Sequence, residues 1–127
     1  MLITASFLAP YALLALRFIT AIVFFSSGSS HAQKPAERGK QIGMSPGATR
    51  VLGIVEIIGA FSIALGLYAQ LGAFLIMVVM LGAMHRKIFI WKTGFYADKG
   101  YGWHYDLTWF IAAAVIFATG GGSLRLL

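Results

Sequence analysis

Cysteine is absent from this chain, which excludes disulfides, thiolate metal sites and any internal dithiol relay. Any thiol chemistry would belong to a partner. Acidic residues are also scarce: four Asp and Glu stand against ten Lys and Arg, giving a net charge of +6. Charge of either sign makes up only 11% of the 127 residues, whereas 59% are hydrophobic, and the mean hydropathy is +0.82. That balance is too apolar for a soluble domain of this length and indicates a membrane protein. Missing as well are a P-loop, a dinucleotide-binding glycine motif, a nucleophile elbow and an EF-hand loop, which disfavours most soluble-cofactor enzymes. The basic residues flank apolar runs, where membrane orientation and anionic lipid account for them, so no nucleic-acid partner is expected.

What is present is four apolar stretches, each near the roughly 20 residues that cross a bilayer. Pro10 suits the first turn of a helix over residues 10–30. No Lys or Arg precedes that run and Arg17 interrupts it, so it reads as a membrane helix rather than a signal peptide. Residues 31–48 hold Pro35, Gly39, Gly43, Pro46 and Gly47 and read as a polar loop with room for a short amphipathic piece. Helices are expected over 49–68 and 71–91, joined so tightly that they must form an antiparallel hairpin. A second polar loop over 92–103 precedes a helix over 104–120, ended by Gly120, Gly121 and Gly122. The expected fold is all-α: one domain, residues 1–127, built as an antiparallel bundle of four transmembrane helices.

In that topology both polar loops share one side. Lys34, Arg38, Lys40, Arg50, Arg86, Lys87, Lys92 and Lys99 lie there, while only Arg125 lies opposite and Arg17 lies within the bilayer. The positive-inside rule therefore predicts a multi-pass protein of the cell (inner) membrane, with loops 31–48 and 92–103 cytoplasmic and both termini extracytoplasmic. Trp91, Tyr96, Tyr101, Trp103, Tyr105 and Trp109 gather on the loop side, as an interfacial belt or as an aromatic wall for a flat ligand such as a quinone.

Arg17 and Glu56 are the charges inside the apolar stretches, and an uncompensated charge at a membrane helix centre costs about 2.5–3.5 kcal/mol. By the 1.5 Å helical rise, Glu56 is expected roughly 9–10 Å and Arg17 roughly 17–20 Å from the loop-side surface. The gap suits two long side chains, so the pair is read as sharing a site. Gly53, Glu56, Ala60 and Ala64 recur at helical spacing, which turns Glu56 into the bundle along a small-residue stripe. One role is an ion pair that fixes helix register; the other is a catalytic, proton-handling carboxylate beside a membrane-soluble substrate. His31, His85 and His104 also belong to the loop side and, with Asp106, are candidates for ligand binding or proton transfer. No close ligand spacing supports a metal site.

These residues resemble the DoxX-like family of small membrane proteins. Arg17, Phe24, Gly28 and His31 look like its Arg-x(6)-Phe-x(3)-Gly-x(2)-Lys segment, with His31 where Lys is usual and Ala21 where Gly is usual. Glu56, Gly59, Leu65 and Gly66 look like its Glu-x-x-Gly-x-x-x-x-Leu-Gly segment, and His85 falls where the family often has a histidine. Gly120, Gly122, Ser123 and Leu124 look like a shortened form of its Gly-Pro-Gly-x-x-Ser-Leu-Asp ending, without the Pro and the Asp. The resemblance implies four transmembrane helices and several functions: membrane subunits of thiosulfate:quinone oxidoreductase, members of oxidative-stress complexes, and assembly helpers. The leading expectation is a subunit of a larger membrane complex, quinone-linked, with its redox centre in a partner. The alternative is a non-catalytic accessory subunit that docks other membrane helices through small residues such as Ala112, Ala113, Ala114 and Ala118. The lipid bilayer and other membrane subunits are the expected partners.

Overall fold

The computed structural model describes residues 5–126. Five α-helices follow a short 3-10 turn at Ser6–Leu8: α1 (Ala9–Gln33), α2 (Pro35–Ile42), α3 (Pro46–Leu65), α4 (Ala69–His85) and α5 (Trp103–Thr119). Arg86–Ile90 prolongs α4 as one turn of π-helix. Among the described residues there is no β-strand. Three helical stretches among the described residues are long and apolar enough to cross a membrane: Ser6–Gln33, Pro46–Leu65 and Ala69–Ile90. The four expected spans are therefore met by three, because α5 has only 17 residues. The expected loop at 31–48 is also largely helical: α1 runs on to Gln33, and α2 fills most of what remains.

Local sequence sets these boundaries. Pro35 and Pro46 occupy first-turn positions, where the missing N–H costs no helical hydrogen bond. Ser45 caps α3 by accepting from the Ala48 N–H at 3.2 Å. Gly66 ends α3 with φ 67°, and the Leu67 N–H returns to the Ser62 carbonyl, which closes the turn into α4.

Helix α1 packs on α3, α3 on α4 and α4 on α5, while the α5–α1 seam is sparser. Antiparallel register is visible in the side-chain links. Gln70 of α4 donates to the Phe117 carbonyl at 2.9 Å at one end of α5, while Lys87 meets Asp106 at the other. Small apolar residues such as Ala60, Ala73, Ala113 and Ile76 fill the interior, whereas Phe18, Phe25, Ile58, Phe74, Leu81 and Ile111 face outward. The polar residues lie inside: Arg17, Thr20, His31, Thr49, Glu56 and Asp106 are all buried. Apolar outside and polar inside is the arrangement that hydrocarbon surroundings demand.

The tightest crossing lies between α1 and α3. A Cβ on Gly28 would stand 2.6 Å from the Gly53 carbonyl oxygen, and a Cβ on Gly53 would stand 2.5 Å from that of Gly28. Backbone touches backbone there, as small-residue membrane crossings allow. This crossing fixes the register that positions the site.

Candidate functional site

Arg17 and Glu56 do not form a pair. From the Gly28–Gly53 crossing, Arg17 lies eleven residues back along α1, about 16 Å, whereas Glu56 lies three residues forward along α3, about 4.5 Å. Arg17 therefore reaches the far end of α3, where the last turn leaves carbonyls without helical partners. Its Nε donates to the Ile63 carbonyl at 2.8 Å and its Nη2 to that of Ala64 at 3.1 Å. Its Nη1 donates to the carbonyls of Gly121, at 3.4 Å, and Leu124. The expected depth from the loop side was too shallow, because α1 extends beyond residue 30. Carbonyl oxygens and the helix-end dipole, rather than a carboxylate, compensate this cation.

Glu56 finds a histidine instead. Oε1 lies 3.3 Å from His31 Nδ1, and both side chains are buried. On the other face of the imidazole, Arg38 Nη2 approaches His31 Nε2 at 3.3 Å while its Nη1 donates to Ser30 Oγ at 2.6 Å. A guanidinium has no acceptor, so a neutral His31 keeps Nε2 bare toward Arg38 and carries its proton on Nδ1, toward Glu56. Glu56 Oε2 is buried without a hydrogen-bond partner, and so is Arg38 Nε. Gly28 makes room for the acid, since a Cβ there would stand 3.0 Å from that of Glu56.

A second charge pair lies across the bundle. Lys87 Nζ is 2.8 Å from Asp106 Oδ2, a contact of charge rather than of hydrogen-bond geometry. The same ammonium sits 5.8 Å from the centre of the Tyr105 ring. Arg86 turns the other way and donates to the Ile42 carbonyl at 3.0 Å, closing the C-terminal end of α2.

Between these pairs opens a cleft of about 970 Å³. Its polar rim is Ser27, His31, Arg38, Glu56, Lys87 and Asp106; Val23, Phe24, Val79 and Met80 give it apolar walls. Trp91, Tyr101 and Tyr105 also line it, so part of the loop-side aromatic cluster forms a wall. Tyr101 stacks on Tyr105 with ring centres 4.4 Å apart, and Trp109 meets Phe24 edge-on at 6.0 Å. Few polar groups on apolar walls is the usual make-up of a small-molecule site.

The three histidines do not converge. His85 is exposed and rests on Phe89, with ring centres 5.4 Å apart. His104 Nδ1 lies 2.6 Å from the Phe95 carbonyl, and its ring packs on Tyr96. Neither lines the cleft. Among the described residues no group of three His, Asp or Glu side chains could hold a metal ion. Sequence reasoning placed Glu56, His31 and Asp106 among the candidates but passed over Arg38, Lys87 and Ser27. Arg38 and Lys87 read as surface charges, and only the i, i+4 spacing of Ser27 and His31 hinted at one face.

The DoxX family model matches residues 12–93, from α1 through the π-helical turn. That stretch holds Arg17, His31, Arg38, Glu56 and Lys87; it stops short of α5 and of the glycine-rich ending. No curated protein and no solved structure matches the chain.

Proposed function

The chain belongs to the DoxX family of integral membrane proteins, and from that premise we propose that it is a quinone-binding subunit of a larger membrane oxidoreductase. In this reading the bundle is one membrane unit and α5 is the fourth span, since 17 residues fall at the short end of the range that crosses hydrocarbon. The segment 31–48, with α2 in it, and the loop 92–103 face the cytoplasm. The observation that carries the reading is the cleft, whose apolar and aromatic walls close on a buried carboxylate with one oxygen unpartnered. A quinone supplies a flat ring for those walls and polar atoms for the rim.

The residues divide the work by position. Val79, Met80 and Phe24 exclude water, and Tyr105 lies against the ring. Glu56 exchanges a proton with the ring oxygen, and His31, oriented by Arg38, holds the carboxylate in place. Lys87 and Asp106 form a neutral pair on the opposite wall. Quinone turnover needs an electron source, and this cysteine-free chain encodes no dinucleotide motif, so the source belongs to a partner subunit.

Replacing Glu56 by Gln tests the reading. Quinone reduction by the assembled membrane complex is expected to fall by about 10²-fold or more, the usual weight of a positioned acid or base. The variant should still insert and fold. Unchanged turnover in a folded variant would remove Glu56 from the chemistry.

A further inference from the structure

The polar groups around the cleft are unevenly satisfied, and the imbalance has a chemical direction. Arg86 donates through Nη1 to the end of α2, Lys87 faces Asp106, and both terminal nitrogens of Arg38 are engaged. Among the described residues, the buried side-chain atoms without a hydrogen bond are two acceptors, Glu56 Oε2 and Asp106 Oδ2, and one donor, Arg38 Nε. Asp106 Oδ2 has the Lys87 charge beside it; Glu56 Oε2 has nothing. His31 Nδ1 stands 3.3 Å from Oε1, so Oε2 is the carboxylate oxygen left for a ligand hydrogen.

We propose that the cleft selects its ligand by a hydroxyl hydrogen, binding the reduced, two-hydroxyl form of a quinone (a benzoquinol) in preference to the oxidised form; this rests on the reading that the cleft takes a quinone-type ring. A quinol hydroxyl donates to Glu56 Oε2 and keeps lone pairs for a donor such as Arg38 Nε. An oxidised ring presents carbonyl oxygens alone, so its lone pairs meet those of Glu56 and the carboxylate stays unsatisfied. A site built around a hydrogen bond discriminates strongly against an analogue that lacks it, because the buried partner is left bare.

The experiment compares three probes on the purified protein in detergent, without oxygen: a short-tailed benzoquinol, the matching benzoquinone, and the benzoquinol's dimethyl ether. Each is titrated while thermal unfolding is followed, which gives a half-saturating concentration. The benzoquinol is expected to saturate at a concentration at least about tenfold lower than either of the others. Glu56→Gln should narrow that gap, since an amide both donates and accepts. Benzoquinone binding as tightly as benzoquinol, or the ether doing so, overturns the selectivity and leaves the quinone reading standing. No saturable shift with any probe overturns both. The wild-type series decides the matter even if the Gln variant fails to fold.

Discussion

Arg17 shows how one side chain can hold a membrane fold together without pairing to an acid. It gathers carbonyls from the end of α3 and from residues 121 and 124, so it caps a helix and straps the chain terminus to the bundle in one arrangement. The Leu126 N–H, bonded to the Leu65 carbonyl at 3.4 Å, adds to the same strap. Arg17→Met keeps a long apolar stem but leaves those carbonyls bare, each at about 1–3 kcal/mol where burial is complete. The variant is expected to lose about 3 kcal/mol of stability and to expose residues 120–126 to protease, measured by thermal unfolding in detergent and by limited digestion. Arg17→Lys should restore only part, because an ammonium cannot fork across several carbonyls as a guanidinium does. A Met variant with wild-type stability and an undigested tail would contradict this account.

At the scale of elements, the α1–α3 crossing and the cleft wall on α4 make opposite demands on glycine. Gly53 touches the Gly28 carbonyl and the Ala32 nitrogen so closely that even a methyl group forces the helices apart. Gly53→Ala is expected to destabilise by about 1–3 kcal/mol, the usual cost of overpacking, and to separate His31 from Glu56. Gly82 lines the cleft, and a Cβ there meets nothing within 4 Å. Gly82→Leu should leave stability unchanged or raise it by about 0.5–1 kcal/mol through helix propensity. The added side chain occupies ligand space, so benzoquinol should need a clearly higher concentration to saturate. Thermal unfolding with and without the ligand reads both effects, and a Gly82→Leu variant that keeps the wild-type ligand response would move the site elsewhere.

For the whole molecule, orientation is the property that the basic loops predict and that topology makes measurable. The natural chain lacks cysteine, so a single introduced thiol reports alone. Ala5→Cys and Lys99→Cys, both at exposed positions, should react with a membrane-impermeant maleimide from opposite sides of the membrane. The Ala5 site is expected to label in intact cells and the Lys99 site only after lysis. Labelling of both from one side would mean an even number of crossings between them and would contradict the three spans α1, α3 and α4 that separate the two sites.

The sequence by itself determined the membrane environment, the helical class, a tight hairpin expected at residues 68–70 and found at 66–68, and the inward turn of Glu56, because hydropathy, breakers and small-residue spacing are local properties. Its family resemblance at Arg17, Gly28 and Glu56 was legible for the same reason. Tertiary structure alone decided the partners. Arg17 and Glu56 were two charges of opposite sign on adjoining helices, and charge complementarity argued for joining them. The contact between Gly28 and Gly53 sets a register that carries Arg17 to the C-terminal end of α3, beyond Glu56 near its middle, so Glu56 meets His31 and Arg17 meets carbonyls. Lys87 and Asp106 became neighbours through the antiparallel packing of α4 and α5, a relation that no spacing along the chain encodes. Register is fixed by the closest approach of two backbones, and that distance exists only once the helices have packed.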